Sequence, residues 1–166
     1  RMSKITDANS KQTNFGYDAR ARVTSITNAK NETTVLTYDL NNRPKKVIYP
    51  DTNFTEFTYD IAGRRIAVAD PLNHSTNFVY DSAYRLTSIT DALNHSTAFG
   101  YDLMSNLTSQ ADALGNVTNL EYDEFNRLKK VKYPLPVSGG MRLEENYTYD
   151  LVGNTKTHVD TAGRTT

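Results

Sequence analysis

Apolar and polar residues alternate along short stretches of this chain, and the same alternation returns at a fixed interval. In Thr76-Asn77-Phe78-Val79-Tyr80, the Thr, Phe and Tyr stand two residues apart, so a β-strand places all three on one face. The next stretch, 85–90, has Leu86 and Ile89 three residues apart. That spacing predicts a second strand with a β-bulge or a strong twist. Each unit is therefore predicted to be a pair of strands.

Turn-forming residues separate the predicted strands. Asp70-Pro71-Leu72-Asn73, which we call a mid-unit turn, opens with an Asp and closes with an Asn. The Asp side chain accepts hydrogen bonds within a turn, and Asn or Gly tolerates a positive φ. The other turn, which we call the return turn, has the form Tyr-Asp-x-x-Gly or Tyr-Asp-x-x-Asn, as at Gly63 and Asn42. The pattern predicts antiparallel neighbours throughout.

The dipeptide Tyr-Asp marks the repeat. Seven of the eleven tyrosines precede an Asp; the first six are 21 residues apart, and the seventh follows after 27. A fixed period of this length indicates a tandem array of one supersecondary unit. The seven tyrosines are Tyr17, Tyr38, Tyr59, Tyr80, Tyr101, Tyr122 and Tyr149.

Other positions of the unit recur with the tyrosine. The signature aspartates are Asp18, Asp39, Asp60, Asp81, Asp102, Asp123 and Asp150. An Arg stands five residues after the Tyr in five units, at Arg22, Arg43, Arg64, Arg85 and Arg127, and is replaced by Asn106 and Asn154 in two. With Gly63 and Gly153 of the return turns, these residues form the predicted structural signature of the unit.

One unit is too small to fold alone. Ordering 21 residues costs roughly 1–2 kcal/mol per residue in backbone entropy, more than the few large side chains of the unit return by burial. We therefore expect residues 1–166 to form a single array of about seven to eight units. The chain begins and ends within a unit, so we expect it to be cut from a longer protein. The extra six residues predict an inserted loop at 134–146.

The 21-residue unit, with Tyr-Asp, Gly or Asn, Arg, Ile or Val, Asp and Thr in order, resembles the RHS or YD-repeat family. That family includes bacterial RHS polymorphic toxins, insecticidal toxin-complex shell subunits, wall-associated proteins and teneurins. The resemblance covers essentially the whole chain. It implies an all-β fold in which strand pairs form a continuous, curled antiparallel sheet, a segment of a hollow β-shell.

The resemblance also implies a function. The chain is expected to be a structural shell segment of a secreted or cell-surface bacterial protein, and not an enzyme. Its expected partners are neighbouring repeats and an enclosed C-terminal effector. The alternative is an adhesion module that binds carbohydrate or a protein partner through tyrosines outside the Tyr-Asp dipeptides, which are expected to be exposed: Tyr49, Tyr84, Tyr133 and Tyr147.

Composition excludes several other classes. The formal net charge is zero, with 19 basic and 19 acidic residues, so we expect neither nucleic-acid binding nor polybasic membrane attachment. The chain has no Cys, which removes disulfides and thiolate chemistry. Apolar runs are short, so membrane insertion is not expected. A hydrophobic fraction of 37% is lean for a solid core but suits a sheet that encloses volume.

Candidate chemistry is sparse. His74 and His95 occupy the same slot of neighbouring units, and equivalent slots two strands apart are roughly 9–10 Å apart, too far for one zinc ion. His158 occupies a slot that is apolar elsewhere and is interpreted as a tolerated substitution. The Asp and Arg of each return turn suggest either an anion- or sugar-binding stripe or a capped turn with Arg over an aromatic ring, and recurrence in every unit favours the capped turn. No metal or cofactor is expected.

Overall fold

The structure, a computed structural model, describes residues 2–136 and 140–166, and its regular elements are all strands. Thr-rich and aromatic segments form these strands because their side chains pack well on a pleated surface. The strands are β1 (Lys4–Thr6), β2 (Gln12–Tyr17), β3 (Val23–Thr27), β4 (Thr33–Tyr38), β5 (Pro44–Ile48), β6 (Phe54–Tyr59), β7 (Arg65–Ala69), β8 (Ser75–Tyr80), β9 (Leu86–Thr90), β10 (Ser96–Tyr101), β11 (Leu107–Ala111), β12 (Val117–Tyr122), β13 (Leu128–Lys132), β14 (Glu144–Tyr149) and β15 (Thr155–Val159).

The chain divides into two compact units, each made of several 21-residue repeats: the first unit is Arg1–Asn77 and the second unit is Phe78–Thr166, with the division inside β8. In the first unit, each strand from β1 to β7 pairs antiparallel with the next strand in sequence. In the second unit, the same holds for each strand from β9 to β14. The prediction of an all-β chain of antiparallel strand pairs is confirmed.

A β-bulge lies where the apolar spacing predicted one. Gly16 pairs with Ser25, but Tyr17 pairs with Val23, so Thr24 is left without a partner residue. Because of the extra residue, Val23 lies opposite Tyr17 and Ile26 lies opposite Phe15. Val23 and Ile26 therefore share one face of the sheet although they are three residues apart in sequence. The same shift recurs beside Tyr38, Tyr59, Tyr101, Tyr122 and Tyr149.

Neither compact unit has a second layer among its described residues. The strand contacts join strands that are consecutive in the chain, and Val131 is the one apolar side chain of the described residues that is buried. The accessible surface is 11489 Å², whereas a compact protein of this mass would expose roughly 8,300 Å². The aromatic face that includes Phe15 and Tyr17 is therefore only half-buried.

Both kinds of turn have the same backbone. In the return turn at Asp18, the Ala21 N–H donates to the Asp18 carbonyl and the Asp18 N–H donates to the Arg22 carbonyl, each at 3.0 Å. In the mid-unit turn at Asp70, the corresponding bonds are both 2.9 Å. The fourth residue takes a positive φ in each, 69° at Ala21 and 65° at Asn73. This is a type I turn followed by one left-handed residue, a common antiparallel hairpin connection.

The predicted inserted loop, 134–146, is shorter than expected at its C-terminal end. β14 begins at Glu144, which pairs in register with Lys132 of β13. The Lys130 ammonium, 2.8 Å from a Glu144 carboxylate oxygen, favours this register. Residues 137–139 of the predicted loop lie outside the described residues. In the described part of the chain, no helix is long and apolar enough to cross a membrane.

Candidate functional site

In each of the two compact units, the signature residues lie along the edge that the return turns form, which we call the return edge. At each return turn the Asp carboxylate caps the turn. One oxygen of Asp39 accepts the N–H groups of Asn41 and Arg43, both at 2.9 Å, and the other accepts Arg43 Nε at 2.7 Å. Asp18, Asp60, Asp81 and Asp123 hold Arg22, Arg64, Arg85 and Arg127 through the same Nε bond, at 2.6–2.7 Å.

Arg22, Arg43, Arg85 and Arg127 also reach toward the tyrosine of the next repeat. The guanidinium carbon of Arg43 lies 4.5 Å from the centre of the Tyr59 ring, and Nη1 donates to the Asp60 carbonyl at 3.4 Å. Arg85 lies 4.8 Å from the Tyr101 ring and donates to the Asp102 carbonyl at 2.7 Å. Because the Asp fixes the guanidinium in place, the Arg links one return turn to the next.

The tyrosine hydroxyl completes this link. Tyr101 Oη donates to the Leu86 carbonyl at 2.8 Å. Leu86 is the first residue of β9, the strand that precedes the strand of Tyr101 in the same repeat. The equivalent bonds run from Tyr38 to Val23, from Tyr59 to Pro44, from Tyr122 to Leu107 and from Tyr149 to Leu128, at 2.7–2.9 Å. The hydroxyl therefore satisfies a backbone carbonyl near the point where the strand leaves the return turn. Tyr17 donates in the same way to the Met2 carbonyl.

We call this repeated set of Asp, Arg and Tyr contacts the return-edge ladder. Gly63 and Gly153 occupy the left-handed position of their turns, with φ of 90° and 94°. Tyr80 takes the tyrosine slot at the end of β8, with Asp81 following it. At Arg22, Arg43, Arg85 and Arg127 the geometry is a capped turn with the guanidinium over an aromatic ring.

Hydrogen bonds lower the pKa of the turn carboxyls. The pKa of Asp18 lies below its usual 3.8 chiefly because the Arg22 side chain donates to it, with the Arg22 and Arg20 N–H groups adding to the effect. The pKa of Asp39 is lowered first by the Arg43 N–H and then by the Arg43 side chain. These carboxylates are ionised at neutral pH, and turn donors already occupy them. The geometry is suited to holding strands together rather than to proton transfer.

Two return turns lack the Arg. Asn106 replaces it beside Asp102, donating to that carboxylate and to the Asn126 side-chain oxygen, both at 2.9 Å. Asn154 replaces it beside Asp150, at 3.0 Å. The amide preserves the cap but cannot place a cation over the next ring. Tyr122 is the tyrosine that an Arg at position 106 would face. Burial, with a smaller effect of the Asp102 charge, raises the pKa of Tyr122.

The mid-unit turns lie at the other end of the strands from the return edge, and we call the edge that they form the mid-unit edge. Asp70 and Asp91 cap these turns and hold His74 Nδ1 and His95 Nδ1 at 3.1 and 2.9 Å. Both imidazoles are exposed turn residues. Among the described residues, no group of three or more potential ligands could hold a metal ion.

A polar cluster that the sequence does not suggest lies beside the long connection after β13. Glu145 accepts from Tyr147 Oη at 2.7 Å and Tyr133 Oη at 3.0 Å, and its carboxylate lies 3.3 Å from His158 Nε2. The His158 ring stacks on Tyr147, with centroids 4.6 Å apart. The interpretation of His158 as merely tolerated is therefore wrong, because a Glu on the neighbouring strand gives it a partner. The Glu145 hydrogen bond raises the pKa of Tyr147 to about 12.

The structure divides the four tyrosines proposed for adhesion. Tyr49 and Tyr84 are exposed. Tyr133 and Tyr147 are half-buried and donate to Glu145, so the prediction that they present free aromatic faces is wrong. The repeat positions of Tyr133 and Tyr147 do not predict this burial, because Glu145, which accepts their hydrogen bonds, occurs in one repeat.

Comparison with known proteins agrees with this geometry. The Teneurin YD-shell family matches residues 1–75, and RHS Repeat matches residues 62–95 and 101–135. No curated protein sequence matches the chain.

Solved structures with the same fold are toxin complexes. The crystal structure of TcdB2-TccC3-Cdc42 matches with a TM-score of 0.69 and 18% identity, covering 93% of this chain and 9% of that chain. TcdB2-TccC3 without the hypervariable C-terminal region matches with a TM-score of 0.70 at the same identity and coverage. The Photorhabdus luminescens Tc holotoxin pore with the TccC3 D651A mutation matches with a TM-score of 0.69 and 18% identity, again covering 93% and 9%. This chain therefore spans about a tenth of the length of these proteins.

The 21-residue Tyr-Asp period, the ladder built on it and the two family matches agree on one assignment. Over residues 1–95 and 101–135 the chain is therefore similar to the Teneurin YD-shell and RHS Repeat families.

Proposed function

We propose that this chain is a stretch of shell wall in a secreted or exported bacterial RHS-repeat protein, and that the shell encloses an effector segment of the same protein. The observation that carries the proposal is the single-layered sheet, which has an aromatic face and only one buried apolar side chain among the described residues. Such a face is stable in water only when it is covered or enclosed.

The return-edge ladder supports the same role. A wall must resist separation of neighbouring strands without a solid core behind them. Where an Arg lies over the next ring, the ladder provides this by joining one strand pair to the next through an ion pair, a stacked guanidinium and a tyrosine hydroxyl bond, as at Asp39, Arg43 and Tyr59. Its functional groups are engaged with one another, so the proposed role is structural rather than catalytic.

The test uses the natural protein that carries this segment. We expect limited proteolysis to spare the enclosed effector in the wild type and to cleave it after Tyr59→Ala combined with Tyr101→Ala. Both changes remove ladder rings whose hydroxyls hold strand carbonyls. Asn41→Ala, at an exposed turn tip, is the matched control and should leave the protection intact.

Equal cleavage of the effector in wild type and double variant would contradict enclosure. For the adhesion alternative, a glycan array is the direct measurement. Carbohydrate binding by this segment that is lost with Tyr84→Ala would replace the shell proposal, because Tyr84 is among the exposed rings.

A further inference from the structure

Large apolar side chains project from successive return turns of the second unit. Leu103 and Met104 are 102% and 73% exposed, Phe125 is 68% exposed, and Leu151 and Val152 are 106% and 83% exposed. We call these five residues the return-edge ridge. Monomeric soluble proteins rarely expose contiguous apolar patches larger than a few hundred Å², and larger ones mark interaction sites.

The ridge is not flat. A groove of about 360 Å³ lies between the turn at Asp123 and the turn at Asp150, lined by Phe125, Arg127, Tyr149 and residues 150–153. Phe125 forms one wall, where the Arg127 guanidinium carbon lies 5.1 Å from its ring centre. Leu151 and Val152 form the opposite wall. The groove is large enough to admit a large apolar side chain.

Charge distinguishes this stretch of the return edge from the corresponding stretch of the first unit. The return turns from 81 to 154 carry five carboxylates, four turn aspartates and Glu124, against two guanidiniums, because Asn106 and Asn154 stand where other repeats have Arg. The return turns from 18 to 64 carry three aspartates against four arginines, Arg20 being the extra one. The ridge is therefore framed by excess negative charge, whereas the first unit's return edge is slightly positive.

We propose that the return-edge ridge is a docking surface for a polypeptide segment rich in both basic and apolar residues. Apolar side chains of the partner would cover the ridge and enter the groove beside Phe125. Its Lys or Arg side chains would face the excess carboxylates, which also accelerates the encounter. The docking does not depend on whether the shell encloses an effector.

The test measures binding of a synthetic peptide of alternating Leu and Lys to the 166-residue chain. We expect binding that weakens about tenfold, the effect of 1.4 kcal/mol, in the variant with Leu103→Ser, Met104→Ser, Leu151→Ser and Val152→Ser. These side chains project into solvent, so the fold should survive. The matched control replaces Leu40 and Ile61 by Ser; both are equally exposed return-turn residues of the first unit, and affinity should be unchanged.

Charge is tested separately with Asn106→Arg and Asn154→Arg, which restore the guanidiniums of the repeat. This variant should bind the Leu-Lys peptide more weakly, and added salt should weaken the wild-type complex. No binding at all, equal binding of a Leu-Glu peptide, or an equal loss with Leu40→Ser and Ile61→Ser would each overturn the proposal. The effector-protection measurement is independent of these outcomes.

Discussion

Return turns and mid-unit turns have the same backbone but differ in what the fifth residue of the turn does. At Asp39 that residue is Arg43, which pairs with the cap and continues to the Tyr59 ring. At Asp112 it is Asn116, which pairs with the cap at 2.8 Å. At Asn28 the polarity is reversed, since the Asn28 amide donates to Glu32 at 2.7 Å.

Forming the turn and linking one repeat to the next are two separate tasks, performed by different residues of the motif. The carboxylate and the left-handed fourth residue make the turn, and this works at both edges with Arg, His, Asn or Lys in the fifth position. Linking one repeat to the next requires Arg and Tyr together, and within residues 2–136 and 140–166 these coincide at the return edge. The mid-unit edge is consequently free to vary in sequence.

Acid should abolish the property that the two edges share. The pKa values of Asp39 and Asp112 are both lowered, by Arg43 and by Asn116 donors respectively. A carboxyl whose pKa is lower in the folded state stabilises the fold above the unfolded-state pKa, and that stabilisation disappears as pH falls through the folded-state pKa. We therefore expect cooperative loss of far-ultraviolet dichroism to begin below about pH 4. A spectrum unchanged down to pH 2 would show that the caps contribute nothing.

Removing a ladder ring should have the next largest effect, and only at the return edge. Tyr101→Ala loses ring packing, the Arg85 stack and the bond to the Leu86 carbonyl. We expect a loss of about 2–3 kcal/mol in the free energy of unfolding, less than for a fully buried ring because Tyr101 is half-buried. Chemical denaturation of Tyr101→Phe should show a loss of about 1 kcal/mol for the hydroxyl bond alone.

Ser96→Ala is the matched change at the other end of the same strand. The Ser96 hydroxyl bonds only Ser88 and Thr90 side chains, at 2.9 and 3.2 Å. Its replacement should cost less than about 1 kcal/mol. If Ser96→Ala destabilised the chain as much as Tyr101→Ala, the two ends of the strand would be equivalent and the distinction between edges would be lost.

Much of this architecture could be predicted from the sequence because the repeat displays each requirement many times. The bulge was indicated by the spacing of Leu86 and Ile89, and the left-handed turn position by Gly63 and Asn42. The fold imposes that position even where the residue disfavours it, as at Thr52 with φ of 69°. Aligning the repeats with one another does not reveal a feature that occurs in a single 21-residue repeat. Glu145 with its three partners therefore escaped prediction, as did the ridge, which depends on turn-tip residues that vary freely.

Removing a cap carboxylate should distinguish the edges more subtly. Asp39→Ala leaves the Arg43 guanidinium without its carboxylate and loosens its stack on Tyr59, so one link between repeats is lost with the cap. Asp112→Ala loses only a local cap, where Asn116 remains a turn residue. The melting temperature should fall for both variants and fall further for Asp39→Ala. A larger fall for Asp112→Ala would mean that the cap, not the link, dominates at the return edge.

The smallest expected effect is a gain. Asn106→Arg restores the guanidinium between Asp102 and Tyr122, at a position where Asn106 now donates to Asp102 and Asn126. Stacking of an exposed cation on an aromatic ring contributes about 0.5–1 kcal/mol, partly offset by the lost bond to Asn126. We expect a rise of about 0.5 kcal/mol in the free energy of unfolding, measured by chemical denaturation.

The matched control for this gain is Asn116→Arg at the mid-unit edge. It places the same side chain after the same kind of cap, since Asn116 bonds Asp112 as Asn106 bonds Asp102. The strand that follows the mid-unit turn begins with Val117 and carries Tyr122 at its far end, so no ladder ring lies beside this cap. Asn116→Arg should therefore leave stability unchanged. Equal stabilisation by the two substitutions would mean that the ion pair with Asp, rather than the ring of the next repeat, makes Arg favourable, and the return-edge ladder would reduce to a row of independent capped turns.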